Sequence, residues 1–440
     1  MARPQSIGIR GHLSRLISAH RLHRLARETG AVKRQRKVKL FHLFWTLVLG
    51  FGTGKERTFA GLRRMYESLA RQTLAPSSFW NRFTPALATF LKAVATELMA
   101  KVCEAEHALE GPLQGFRDLV VTDATVMRLH RFLAKRFPGC RTNTAKAACK
   151  LHVVMSVTAA GPRSIRVTSE RAHDGKTLRL GPWVKDRLLL MDLGYYGFAL
   201  FDRIRRNGGY FISRLKSNAN PTIVKVHGSR RDDRALRGRK LQEVLYRLRR
   251  KCLDATVEVA FLRRTYAGER TQVRKTFRLV GVRHPDSGEY HLYVTNIPSG
   301  RLTAEEIATT YRARWYAEML FAEWKSGYGL DQIPSRKKEA VEIFIYASVI
   351  TLLASRTLLR AVRRKLKSVA DRIPAMRWAK IFQAHVLQIL QVLLAPPRHG
   401  RYWAGALEAT LLHEAVDPHL HRPGLVQQVQ NGTTSYPVRA

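Results

Sequence analysis

The chain has 440 residues, 45% of them hydrophobic, which is enough apolar material for a buried core and enough length for roughly three domains. Its 77 Lys and Arg stand against 33 Asp and Glu, a formal net charge of +44. Such a chain repels itself unless it meets a polyanion, and nucleic acid offsets the charge by releasing condensed counterions. A membrane surface is the rival polyanion, but there is no lipidation motif, no signal-peptide pattern and no apolar run of about 18 residues or more. Cys103, Cys140, Cys149 and Cys252 show no CxxC pairing, which disfavours a disulfide framework or zinc ribbon and suits a reducing cytoplasm.

Residues 1–110 read as helical, with amphipathic runs such as KLFHLFWTLVLGFG and PALATFLKAVATELMAKVCEAEHAL between Gly, Pro and Ser breaks. The first forty residues carry Arg10, Arg15, Arg21, Arg24, Arg27, Lys33, Arg34, Arg36, Lys37 and Lys39 against one acid, Glu28. That suits a DNA-binding helical domain laid along phosphates, with a solvated basic arm as the plain alternative. From 111 to 218 the texture is β-rich (DLVVTDATVMRL, KLHVVMSVTA, SIRVTSE, RLLLMDLG, GYFISRL), with helical pieces such as FALFDRIRRNG between strands. Strands that include a hairpin and then alternate with helices predict an α/β or α+β sheet. Residues 219–297 open on a basic segment and continue as strands with a PDSG turn, a β-rich insertion. Residues 298–395 return to helices, including IFIYASVITLLAS at 343–355, which reads as a buried helix, and a second apolar helix over 376–394. From 396 to 440 a Pro-, His- and Gln-containing tail is expected to be loosely packed.

Acids are scarce, so those beside strong apolar strands stand out. Asp123 follows LVVT and Asp192 ends LLLM before LGYYG. Either carboxylate alone would more readily cap a helix. The segment YRARWYAEMLFAEWK, residues 311–325, adds a third. Its predicted start is a capping box, Thr303 with Glu306, and Gly327 and Gly329 supply the stop. On one continuous helix, at about 100° per residue, Tyr311, Arg314, Glu318 and Lys325 fall in a stripe about 60° wide. Glu323 lies off that stripe, and Trp315 and Phe321 read as core residues. Three carboxylates from two strand ends and a helix make a hard oxygen site suited to Mg²⁺ or Mn²⁺. Two such ions can drive in-line displacement at a phosphodiester, and the phenol and cations could hold the strand being cut. Asp118, placed before its strand, and Asp202, placed inside a helix, are weaker candidates than Asp123 and Asp192. Asp174 in AHDG reads as a turn residue, with a supporting role near the metals as the lesser reading.

The pattern Y-x2-R-x3-E-x6-K, filled by Tyr311, Arg314, Glu318 and Lys325, resembles the signature of the insertion-sequence-four family of bacterial DDE transposases. The likeness extends to VVTDATV, to AHDGKTL, to LLLMDLGYYGFALFDRIRRNGGYFISRLK, and to the presence of a β-rich insertion before the glutamate, covering about 115–355. The resemblance implies an RNase H-like catalytic core whose Asp123, Asp192 and Glu318 bind two divalent metals. It implies that Tyr311, Arg314 and Lys325 contact transposon-end DNA. The expected activity is cut-and-paste transposition at terminal inverted repeats by a homodimer in the bacterial cytoplasm. Some relatives stack a tryptophan of the insertion on a flipped base during hairpin formation. No Trp occurs between residues 219 and 300 here, and Tyr290 and Tyr293 read as cross-strand aromatics.

Overall fold

In the strand RLLLM, every residue is buried because successive side chains feed two cores. Leu188 and Leu190 join one hydrophobic cluster, Leu189 and Met191 the other. This strand (β4, Arg187–Met191) lies in a mixed sheet built from β1 (Asp118–Arg128), β2 (Ala148–Ser156), β3 (Gly161–Ser169), β5 (Tyr210–Arg214), β6 (Thr222–Val226), β7 (Cys252–Arg264), β8 (Arg270–Arg283) and β9 (Tyr290–Thr295). The computed structural model describes residues 8–34, 38–103, 108–140, 146–228, 233–264, 270–331, 333, 335–420 and 425–431. Arg36 and Lys37 of the basic N-terminal run, and tail residues 421–424 and 432–440, lie outside the described residues.

The strand order is β3-β2-β1-β4-β5-β9-β8-β7-β6. β1, β2 and β3 are antiparallel neighbours, whereas β1, β4 and β5 run parallel. This 3-2-1-4-5 arrangement, with helices on its faces, is an RNase H-like core. The inserted strands do not form a detached module. β9 pairs antiparallel with the edge of β5 (Ile212↔Thr295 to Arg214↔Tyr293), so β6–β9 prolong the same sheet. The PDSG turn joins β8 to β9, with Gly288 at φ 70° where an L side chain would be strained. Arg278 of β8 fastens this extension to the chain that leads back to the core. Its guanidinium is bidentate to Asp254 (2.8 and 2.6 Å) and donates to the carbonyls of Ile297, Pro298 and Leu302 at 3.3, 3.0 and 2.9 Å.

The N-terminal region is helical: α1 (Ile9–Leu16), α2 (Ala19–Glu28), α3 (Leu40–Trp45), α4 (Phe59–Ala70), α5 (Pro76–Trp80) and α6 (Pro85–Val102), with a π-helical stretch at Thr46–Phe51. Between the strands lie α7 (Asp174–Thr177), α8 (Phe198–Arg206), α9 (Asp233–Leu236) and α10 (Leu241–Leu245). After the sheet come α11 (Ala304–Arg312), α12 (Trp315–Tyr328), α13 (Lys338–Lys365), α14 (Ala375–Ala384), α15 (Val386–Leu394), α16 (Pro397–Ala415) and α17 (Leu425–Gln430). α13 is the buried helix the sequence predicts. It is long and apolar enough to cross a membrane, yet 89% of its most apolar window is buried inside the protein. The N-terminal helices wrap it, with Phe51 stacked on Phe344 at 3.8 Å, and one continuous core runs from Ile9 to Val429.

Three expectations change here. The apolar stretch 376–394 is two helices, because His385 leaves helical geometry (φ −97°, ψ 10°) between α14 and α15. The tail is not loosely packed where it is described. In α16, Leu407, Leu411 and Ala415 recur every four residues and are buried. Buried Glu408 also accepts the backbone N–H groups of Gly8 and Ile9 at 3.0 and 3.1 Å, satisfying the start of α1 where Gly8 offers no side-chain cap. Finally, part of the basic N-terminal run is engaged by the protein itself. Arg21 forks onto Glu97 (2.6–3.2 Å), Arg10 donates to Ala395 O (2.9 Å), and Lys39 donates to Ala70 O (3.0 Å).

Candidate active site

The parallel pairing of β1 with β4 ends at Thr122↔Met191. Asp123 and Asp192 are therefore the next residues on two adjacent strands. Leu119 and Val121 on β1, and Leu188 and Leu190 on β4, belong to the core that α12 packs against. Alternation continued by one step turns both aspartates to that same face. Asp123 Oδ1 accepts from the Ala124 amide at 2.7 Å. Asp192 stands at the N-cap of a short 3₁₀ turn, Leu193–Tyr195, but its side chain makes no capping bond. The carboxylate is thus left for something else. Burial raises the Asp123 carboxyl to about 6, against the lowering influence of the Ala124 amide and the Arg314 guanidinium, with Asp192 and Glu318 adding to the rise.

The weaker aspartates are committed elsewhere. Asp118 is the first residue of β1 rather than a residue before it, and lies buried at the far end of the strand. There it accepts from Thr158 Oγ1 at 2.6 Å and faces Arg163 at 3.9 Å. Asp202 on α8 is paired with Arg206 and Arg263, both at 3.1 Å.

The capping box forms as expected, Thr303 N to Glu306 Oε2 at 2.7 Å and Glu306 N to Thr303 Oγ1 at 3.2 Å. The single helix predicted beyond it does not. The chain tightens into i→i−3 bonds at Ala313, Arg314, Tyr316 and Ala317 (3.0–3.1 Å), a 3₁₀-type joint between α11 and α12. This splits the polar stripe. Tyr311 stays on α11, 7% exposed, its hydroxyl donating to Met191 O at 3.2 Å and its ring 5.2 Å from that of Tyr293. Burial pushes its phenol up to about 12. The group is turned inward and holds the backbone next to Asp192, a second role beside the expected DNA contact. Arg314 and Glu318 lie at and just inside the start of α12. Arg314 Nη2 bonds Glu318 Oε1 at 2.5 Å and Nη1 stands 3.6 Å from Asp123 Oδ2, so one guanidinium bridges the two carboxylates. Lys325 is half-buried two turns further on, its amine without a hydrogen bond or ion pair among the described residues.

Trp315, expected in the core, is 56% exposed at the first turn of α12, beside Met319 at 38%, because the joint rotates it outward. Phe321 is buried as expected, and Glu323 is buried against Arg356 at 2.5 Å. In the insertion, Tyr293 is buried against Tyr311, and Tyr290 donates its hydroxyl to Arg250 O.

Two braces surround the site, the first on Asp174, whose partners Lys150 and His152 the sequence does not reveal. Lys150 of β2 donates to Asp174 Oδ1 at 3.0 Å, and His152 on the same strand face stands 3.5 Å from it. Burial lowers the imidazole to about 4. Asp174 is pressed against the turn after Asp192, where a Cβ on Gly194 would lie 3.1 Å from its Oδ2. The i,i+2 spacing of Lys150 and His152 was the available signal, but nothing local points to their partner. The second brace is Arg57, whose guanidinium covers the Phe51 ring at 4.6 Å and donates to Tyr328 O (3.4 Å) at the negative end of the α12 dipole. Gly329, at φ 53°, holds a backbone conformation in which an L side chain would be strained, and a Cβ there would push the Arg57 guanidinium aside.

Three carboxylates on one face are an all-oxygen donor set that suits a hard divalent cation. With Arg314 drawn between Asp123 and Glu318, no group of three His, Cys, Asp or Glu among the described residues is drawn together closely enough to share an ion. Chemistry and placement fit the ion; sharing one would require the guanidinium to give way. A test separates the two roles considered for Tyr311. Tyr311→Phe is expected to lower unfolding stability by about 1–2 kcal/mol through the orphaned Met191 carbonyl, with DNA affinity unchanged in a binding titration. A phosphate contact would give the reverse pattern.

An RNase H-like sheet that brings two aspartates together just past the parallel pairing of its neighbouring strands β1 and β4, Asp123 in mid-strand on β1 and Asp192 at the end of β4, under a helix carrying a glutamate, defines the DDE class of DNA-processing enzymes. Residues 114–354, more than half of the chain, match the family described as transposase DDE domain, and the chain belongs to that family: it is a DDE transposase. It is 24% identical over 415 residues to the transposase for insertion sequence element IS231D of Bacillus thuringiensis subsp. finitimus, covering 84% of each chain. It is 23% identical over 325 residues to the transposase for insertion sequence element IS1151 of Clostridium perfringens, covering 68% of this chain and 69% of that one. Among solved structures, a piggyBac transposase synaptic complex with hairpin DNA aligns with 99% of this chain and 89% of its own at 10% identity and a TM-score of 0.44, a likeness too distant to carry an argument.

Proposed function

We propose that the protein excises and inserts an insertion sequence by a cut-and-paste route, acting at terminal inverted repeats as a homodimer on paired DNA ends in the bacterial cytoplasm. The observation that carries this is the meeting of Asp123 and Asp192 one residue past the β1/β4 pairing, with Glu318 joined to Asp123 through Arg314. Asp123, Asp192 and Glu318 would hold two Mg²⁺ or Mn²⁺ ions. Bound there, such ions activate a water or 3′-hydroxyl and stabilise the leaving oxygen of an in-line displacement. The protein supplies placement. β1 and β4 fix the aspartates, Tyr311 and Asp174 hold the backbone around Asp192, and Arg57 steadies the far end of α12. Arg314 and Lys325 are the cations on the glutamate's helix that would take the phosphates of the cleaved strand, Arg as a planar fork and Lys as a point charge. No protein nucleophile is needed, since hydrolysis and strand transfer differ only in which oxygen attacks phosphorus.

The test is a plasmid carrying the DNA that flanks this gene on both sides, incubated with the protein and Mg²⁺ or Mn²⁺. Release of an element-sized fragment that later joins a target plasmid supports the proposal. Broken ends that never join would make the protein a nuclease without strand transfer. Binding without cleavage under either metal would make it a DNA-binding protein descended from a transposase.

A further inference from the structure

Beyond the end of β1, a short 3₁₀ turn, Arg131–Leu133, buries Leu133 and throws Phe132 outward, 61% exposed. Its ring is not bare. The guanidinium carbons of Arg131 and Arg336 stand 5.5 and 5.1 Å from the ring centre, and the His130 ring lies 4.8 Å away. The next residue along, Lys337, places its amine 5.3 Å from the ring centre of Trp80, itself 42% exposed and held edge-on by Phe59 at 4.4 Å. Consecutive cations in the segment after α12 therefore address two exposed aromatic rings, one in the turn after β1 and one on the N-terminal helices. Among the described residues, the side chains of Arg131, Arg336 and Lys337 have no hydrogen bond or acidic partner. The ion pairs nearby are Arg136 with Glu342 at 4.0 Å and Lys338 with Glu339 at 3.8 Å, and neither engages these three cations.

An isolated exposed aromatic needs no explanation, and a solvated cation needs none either. Their combination in a chain of charge +44 does. Phosphates alone would call for cations without rings, and an apolar protein partner would call for rings without free charge. Cations beside exposed aromatic faces are the chemistry that grips single-stranded nucleic acid, the backbone on the charges and the bases on the rings. The position suits a strand leaving the carboxylates. From Asp123 to Arg128 β1 advances about 17 Å, a distance that a few nucleotides of unpaired strand can span.

We propose that Phe132 with Arg131 and Arg336, together with Trp80 and Lys337, form a stacking site for unpaired bases of the DNA strand that runs on from the catalytic carboxylates. This rests on the reading of the chain as a DNA-cleaving transposase and adds a second DNA surface to it.

The experiment compares wild type, Phe132→Ala, Phe132→Tyr and Arg336→Gln in anisotropy titrations with a blunt duplex and with the same duplex bearing an oligothymidine tail. Wild type is expected to bind the tailed probe more tightly. Phe132→Ala should lose about tenfold on the tailed probe and nothing on the blunt one, and Phe132→Tyr should restore the preference. Arg336→Gln should weaken tailed binding and lower its salt slope by about one. Equal binding of both probes by wild type, or a Phe132→Ala variant that matches wild type or loses equally on both, overturns the stacking site while leaving the transposase reading standing. Wild type that binds neither probe overturns both.

Discussion

Asp192→Asn is expected to abolish metal-dependent DNA cleavage, by at least about a hundredfold, while leaving DNA binding and the thermal midpoint unchanged. The lower bound follows from second-shell partners of metal ligands, whose loss alone costs about 10–100-fold; a direct ligand should cost more. Stability should hold because the Asp192 side chain makes no capping bond and the amide is isosteric. Asp118→Asn and Asp202→Asn should behave oppositely. Asp118 is buried on Thr158 and Asp202 is paired with two arginines, so their neutral forms should lower the midpoint and leave cleavage per folded molecule near wild type. Measuring cleavage and thermal unfolding on the three variants ranks the aspartates directly. An Asp192→Asn protein that still cuts, or an Asp118→Asn protein that is stable and dead, would move the site to the other end of β1.

What was readable in advance was what is decided locally. VVTDATV and LLLMD announce strands because apolar β-branched and leucine runs feed both faces of a central sheet, and the carboxylates follow at fixed positions along them. The Thr303–Glu306 capping box is a matter of four consecutive residues. The joint between α11 and α12 was not readable, because every residue from 311 to 318 is acceptable in a helix. The structure reports a tertiary tie at that point, the Tyr311 hydroxyl on the Met191 carbonyl, and the tightened turn places Arg314 next to Asp123. Trp315 reads as a core residue for the same reason, since on an unbroken helix it falls off the polar stripe. The tail reads as loose in sequence because Pro396, Pro397 and the histidines of its flanks mask the four-residue spacing of Leu407, Leu411 and Ala415. The burial of Glu408 depends on the start of α1, almost 400 residues away in sequence. The inserted strands were recognised as strands, but their pairing with β5 is a long-range choice that no local pattern states.

Glu323→Ala is the substitution expected to cost the most stability. Glu323 Oε2 meets Arg356 Nη2 at 2.5 Å, and both side chains are almost fully buried where α12, α13 and the end of β3 come together. Arg356 also donates to Ala160 O at 2.8 Å, and the adjoining Arg363 is buried enough that its guanidinium is lowered to about 10, with Arg356 adding to the drop. Burial raises the Glu323 carboxyl despite Arg356 beside it, and the desolvation of two buried charges offsets much of their attraction. Breaking it is another matter. Alanine at 323 leaves Arg356 buried beside a second cation with no anion, a loss of about 3–5 kcal/mol in denaturant unfolding. Removing both charges with Glu323→Leu and Arg356→Met should recover most of that loss, because neither desolvation term then remains. A single variant within about 1 kcal/mol of wild type would mean that water reaches the pair, and a double variant as weak as the single would mean that attraction dominates after all. Cleavage by the refolded double variant carries the argument to function. Glu323 sits five residues after Glu318 on the same helix, so a pair that merely anchors α12 can be replaced by apolar packing without moving the glutamate, and activity should survive.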